Sequence, residues 1–243
     1  MTALVLTAHG SEDPRSAANA RAVAGRVAGM RPGLDVRLAF CELNTPGLVE
    51  VLNGLSGTTR AAVVTPLLLA NAYHARIDIP RQIAGCATAE RVWQAPVLGE
   101  DQRLVSLLRR RVAELGVSPL DDRLGVLVVA IGSSDPAANA RTGRVAPKLI
   151  EGTRWAGATT AFVTRPEPSL AEAAERLRRR GARRVVIAPW FLAPGRLPDR
   201  VRSFAHDAGI AMAQPLGAHR LVAETVLDRY EQALKARADR IAA

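Results

Sequence analysis

Cysteine is nearly absent. In 243 residues only Cys41 and Cys86 occur, with no CxxC spacing, which argues against a disulfide framework, a structural zinc site or an iron–sulfur cluster. Aromatic residues make up 4% of the chain, too few for a base-stacking platform, and no zinc-finger or RNP pattern is present. No apolar run approaches the ~20 residues that span a bilayer. The opening residues, Met1 to Leu6, lack the charged n-region of a signal peptide. A cytoplasmic protein with neither membrane nor nucleic acid as partner is expected. P-loop, GxGxxG, HExxH, EF-hand and GxSxG patterns are also missing, so nucleotide hydrolysis, nicotinamide chemistry and a serine-nucleophile elbow have no support. Lysine is scarce: of 33 Lys+Arg only Lys148 and Lys235 are lysine, a skew that GC-rich coding produces as readily as function does. The formal charge of +10, with so few aromatics, favours a small acidic ligand over a polynucleotide.

What is present is a globular composition, 48% hydrophobic and 23% charged, arranged as alternating short apolar runs and amphipathic stretches. Runs at 4–8, 36–40, 61–65 and 91–94 read as strands; 16–30, a segment opened by Thr45 as N-cap and Pro46 as first helical residue, a segment opened by Asp78, and 100–115 read as helices. Four β-α units imply a parallel sheet covered by helices on both faces. The pattern then repeats. Ala8-His9-Gly10-Ser11-Glu12-Asp13-Pro14 is echoed by Ala130-Ile131-Gly132-Ser133-Ser134-Asp135-Pro136, and Phe40, Pro46 and Val63-Val64 meet Phe162, Pro168 and Val185-Val186 in the same register. The expectation is two tandem α/β domains, 1–117 and 118–243, joined through the Gly-, Ser-, Pro- and Asp-containing stretch 116–123.

Loops leaving the carboxyl ends of parallel strands share one rim, where ligands bind. His9 follows the first strand, Glu42 ends the second, and His74 lies in the long loop after the third, so three candidate metal ligands or proton carriers converge there. The repeat places Ile131, Thr164 and Leu197 opposite them. Joint loss of all three ligating side chains marks one working site and one degenerate copy. Ser11 recurs as Ser133 without the histidine and reads as a backbone-binding or turn residue. Asp13, Asp135 and Asp78 read as turn and capping residues, and His206 and His219 as surface or capping residues.

Together, Ala-His9-Gly-Ser-x-Asp-Pro, Phe40-x-Glu42 with Pro46, and Pro66-Leu-Leu-Leu-Ala-Asn-Ala-Tyr-His74-x-x-x-Asp78-Ile-Pro80 resemble the class II tetrapyrrole chelatases of the sirohydrochlorin chelatase group, over nearly the whole chain. The resemblance implies two flavodoxin-like, chelatase-like domains arranged as a pseudo-dimer around a cleft, the first carrying the chemistry and the second closing over the substrate. It implies ATP-independent insertion of a divalent metal into sirohydrochlorin. His9, Glu42 and His74 would be the metal and proton-handling residues, and no prosthetic group is needed. Lacking the His-rich tail and added cysteines of some cobalt-handling relatives, the chain is expected to insert Fe²⁺ for sirohaem, with Co²⁺ for cobalamin, Ni²⁺, or a non-catalytic carrier role as alternatives. The carboxylate arms of the ring would be met by basic residues near the motifs: Arg15, Arg76 and Arg81 with Ser11 in the first half, Arg196 and Arg200 in the second. A monomer is expected. Free imidazole titrates near ~6.5, so activity should fall in acid.

Overall fold

The computed structural model describes residues 2–55, 61–164 and 168–242. The first half runs β1 (Ala3–Ala8), α1 (Pro14–Met30), β2 (Val36–Phe40), α2 (Leu48–Asn53), β3 (Ala62–Pro66), α3 (Ile79–Ala84), β4 (Val92–Gln94) and α4 (Gln102–Ala113). The second runs β5 (Leu124–Ala130), α5 (Pro136–Gly143), α6 (Val145–Ile150), β6 (Gly157–Phe162), α7 (Leu170–Arg179), β7 (Arg184–Pro189), α8 (Arg196–Asp207), β8 (Ala211–Met212) and α9 (Arg220–Ala242). These elements form two four-stranded sheets of the same order, β2-β1-β3-β4 and β6-β5-β7-β8. Every pairing is parallel.

The sequence explains which strands are central. β1 and β5 are apolar at almost every position and buried along their whole length, as strands covered on both faces must be. β4 and β8 have three and two residues and end each sheet. Among the described residues no helix is long and apolar enough to cross a membrane.

Two differences from the sequence reading have clear causes. Thr45 and Pro46 do not open α2. The Phe40 N–H donates to Pro46 O at 3.0 Å and Phe40 bridges to Gly47, which holds 46–47 extended beyond β2. Gly47 then takes the cap position, its N–H donating to Glu50 Oε2. The second difference concerns the domains. The chain divides into one compact unit of residues 1–99 with 218–243 and another of residues 100–217, whereas the repeat in the sequence divides it at 117/118. α4 packs on β7 and α6, and α9 packs on β3 and α1, so each sheet is completed by the last helix of the other half. α4 buries Leu104, Val105, Leu107, Leu108 and Val112, at about 1.5–3 kcal/mol apiece, and Arg109 donates to Leu149 O and Lys148 O. α9 buries Val222, Ala223, Val226 and Tyr230, and Arg229 donates to Val97 O and Leu98 O. The stretch 116–123 is held as well: Trp155 Nε1 donates to Ser118 O and Arg154 N to Pro119 O.

Candidate functional site

Three loops at the carboxyl rim of the first sheet build the site. β1 ends at Ala8, and the ladder continues one step past the strands, with Cys41 N donating to Ala8 O and Glu42 N to His9 O. His9 and Glu42 are therefore neighbours by backbone register. Gly10 makes the close approach possible: at φ +103° it sits so near the second loop that an added Cβ would lie 1.8 Å from Glu42 O. Asn44 ties the same two loops, its Oδ1 accepting the Ser11 N–H at 2.8 Å. Between Glu42 and Asn44 the chain folds into a tight turn, Asn44 N donating to Glu42 O at 2.7 Å, with Leu43 at φ +62°. A bulky residue in the left-handed region is strained by about 1–3 kcal/mol. Leu43 is also exposed.

The third loop, after β3, brings in His74 on a π-helical turn, His74–Asp78, that runs directly into α3. Such turns recur at functional sites because they re-aim side chains. His74 Nε2 lies 2.7 Å from His9 Nε2, the rings meeting edge to face with centroids 3.8 Å apart. Glu42 Oε1 is 3.4 Å from the same His9 nitrogen. His9 Nε2 thus has both His74 and Glu42 within reach.

The outer nitrogens fix the hydrogens. His74 Nδ1 lies 2.7 Å from Asp78 Oδ2, and His9 Nδ1 lies 3.0 Å from Gly10 O. Both partners only accept, so both Nδ1 atoms carry hydrogen and donate. Both Nε2 lone pairs are then free of hydrogen, and with the nitrogens 2.7 Å apart but the ring centroids only 3.8 Å apart they are angled to a common side, where one cation can take both. A metal bonded to two nitrogens at about 2.0–2.1 Å each needs them somewhat farther apart, so it would enter by opening the pair slightly. Among the described residues no three or more His, Cys, Asp or Glu side chains are grouped to hold a metal by themselves. Two imidazoles and one nearby carboxylate make an open, weak site, suited to a metal in transit.

Asp78 corrects the sequence reading. It is not an N-cap: its backbone is helical and its carboxylate makes no cap bond. One oxygen orients His74 and the other accepts from Arg81 Nη2 at 3.1 Å, the carboxylate–histidine pairing that fixes metal-ligating imidazoles. The His-x-x-x-Asp spacing carried this signal, since residues four apart on a helix face one another.

The remaining expected residues separate. Arg81 belongs to the His74–Asp78 chain. Arg15 is folded onto Asp13, the N-cap of α1. The Ser11 Oγ accepts the Asp13 N–H at 3.0 Å, a turn bond. Arg76 is exposed two residues beyond His74, and Arg196 and Arg200 are exposed on the first turns of α8 in the other unit. His206 is exposed near the end of α8, and His219 Nδ1 accepts the Leu221 N–H ahead of α9. Sequence reasoning passed over the apolar side chains around the site. Leu43, Tyr73 and Ile77 flank Glu42 and His74 and are 61%, 57% and 48% exposed, an apolar fringe to a polar centre. Cys41 lies behind Glu42; burial, then the charges of Asp78 and Glu42, push its thiol up to about 11. It is a neutral thiol at physiological pH, not a thiolate ligand.

Comparison with known proteins places this arrangement. The sirohydrochlorin ferrochelatase of Priestia megaterium is 32% identical over 212 residues, covering 83% of this chain and 77% of the relative. The sirohydrochlorin cobaltochelatase of the same organism is 27% identical, covering 97% and 81%. The structure of SirB from Bacillus subtilis with Fe3+ superimposes with a TM-score of 0.83 at 23% identity, covering 96% of this chain and 95% of that one. The CbiX family model matches twice, over residues 3–115 and 125–233, following the repeat in the sequence rather than the compact units. On that double match and the first of these relatives, the chain belongs to the CbiX family.

Proposed function

We propose that the chain is a sirohydrochlorin chelatase that inserts Fe²⁺ into sirohydrochlorin, without ATP, to give sirohaem. The observation that carries this reading is the pair of Nε2 atoms at 2.7 Å, each ring fixed from behind and Glu42 beside them. Insertion exchanges one divalent cation for two pyrrole protons. The incoming metal is held by His9 and His74, with Glu42 near enough to assist. As the metal passes to the ring nitrogens, two protons come off the ring. One goes to Glu42 and the other to an imidazole nitrogen that the metal has vacated, and both pass to water before the next turnover, so one divalent cation is exchanged for two protons. Neutral imidazole and carboxylate bind Fe²⁺ without the grip of thiolate. Leu43, Tyr73 and Ile77 offer a flat macrocycle an apolar contact that a small acid would not need.

Iron is proposed as the physiological metal; identity does not separate it from cobalt, since relatives named as ferrochelatases match at 26–32% and those named as cobaltochelatases at 27–34%. The ligand set itself separates the two metals poorly. The protein is proposed to act in the cytoplasm, as a monomer.

The test is the anaerobic absorbance change of sirohydrochlorin with protein and Fe²⁺, Co²⁺ or Ni²⁺ in parallel, against metal alone and against His9→Ala. Multiple turnovers, fastest with iron and lost in the variant, are expected. Preference for cobalt would move the protein to cobalamin synthesis. Ring binding without acceleration by any metal would make it a carrier and refute the mechanism.

A further inference from the structure

We propose that the groove of about 610 Å³ between the exit of β4 and the end of α9 is a subsite for a carboxylate arm of the ring; the proposal rests on the chelatase reading. All of it lies within the first compact unit. One face of α9 forms a wall, with Gln232, Arg237 and Arg240 standing around the small Ala233 and Ala236. Asn71, Trp93 and Gln94 line the opposite side.

Two features give the groove its chemistry. None of its lining side chains is acidic, and among the described residues no carboxylate pairs with Arg237 or Arg240. The Arg237 guanidinium lies over the Trp93 ring, 5.2 Å from its centroid, which orders the planar cation while leaving its N–H edge available for a carboxylate. Arg240, three residues on, shares that helix face. The wall also has unmet polar demand: Trp93 Nε1 and Gln94 Oε1 are buried without a partner among the described residues.

Position links the groove to the metal chemistry. Asn71 is three residues from His74 on the same loop, and Gln94 Nε2 donates at 2.7 Å to Ala75 O, the residue beside His74. A ring seated over the imidazoles therefore has this groove at the edge of its support. The arginines expected from sequence for this task in the first half are partly spent, Arg15 on Asp13 and Arg81 on Asp78. Arg237 and Arg240 take the role instead.

The experiment is steady-state kinetics of the full chain with sirohydrochlorin and the preferred metal. In Arg237→Gln/Arg240→Gln, KM for the ring should rise about tenfold, with kcat within about twofold, as expected for lost charge-assisted contacts to a part of the substrate that does not react. Ala236→Glu, which adds a carboxylate to the groove, should raise KM at least as much. Arg179→Gln/Arg180→Gln removes the same charge from exposed positions at the end of α7 and should leave KM within about twofold. An unchanged KM in the first two variants, an equal rise in the control pair, or a fall in kcat alone would overturn the subsite while wild-type turnover still upheld the chelatase. A wild type that neither binds nor metallates the ring overturns both.

Discussion

Ser11 and Ser133 occupy the same turn in the two halves: each Oγ accepts the N–H of the aspartate two residues on, and each backbone N–H is met by an asparagine Oδ1. The ladder beyond the strands is shared too, Glu42 N to His9 O in one half and Thr164 N to Ile131 O in the other. What differs is chemistry. Where His9 and Glu42 meet, the second half has an exposed Ile131 and a Thr164 whose hydroxyl is turned back onto Ile131 O at 2.7 Å. In place of the π-helical turn that aims His74, Leu197 is the second residue of an ordinary α-helix. The comparison separates what the loop backbone does, which is to bring two strand exits together, from what the side chains add.

The most severe way to break it is to make the first half resemble the second. His9→Ala or His74→Ala should lower turnover by at least about 10²-fold, the scale of a lost proton-handling group, measured by the same absorbance assay. Adding Ile131→His and Thr164→Glu to His9→Ala should restore nothing, because no turn in the second half aims a partner imidazole. Activity regained there would show that the strand exits alone suffice. Asp78→Asn should reduce metal affinity or turnover about 10–100-fold, the usual effect of losing the carboxylate behind a ligating histidine, and isothermal titration with the metal separates the two.

Smaller effects sharpen the same contrast. Gly132 has φ +93°, so Gly132→Ala should cost about 1–3 kcal/mol in urea unfolding. Gly10→Ala should cost more and displace Glu42, since its methyl meets a carbonyl as well as an unfavourable φ. Cys41 should resist alkylation below about pH 9 in the folded protein. Its raised pKa also has a sign in stability: the folded state holds the thiol proton more tightly than the unfolded one, so stability is full below pH 9.0 and declines as pH rises toward about 11. Cys41→Ala should flatten that decline.

Much of this was legible beforehand, and for a reason. Strands buried on both faces write continuous apolar runs, so β1 to β4 lie within a residue or so of their expected places, and β2 coincides with its own. The meeting of His9, Glu42 and His74 follows from strand exits sharing a rim. The start of α2 was hidden because a capping signal at Thr45 was overridden by a tertiary bond from Phe40. Asp78 was hidden because Asp before Ile-Pro suits a helix start as well as it suits an imidazole partner. The exchange of α4 and α9 was invisible in principle: amphipathic periodicity says that a helix has a face to bury and not which sheet will cover it.

That exchange orders the making of the molecule. During synthesis the sheet that carries His9, Glu42 and His74 emerges first, yet α9, which covers β3, leaves the ribosome only after the whole of the second unit. The half with the chemistry must wait, β3 uncovered on the side away from α2 and α3, until α9 is added, while the half without it is complete once the chain has passed Gly217.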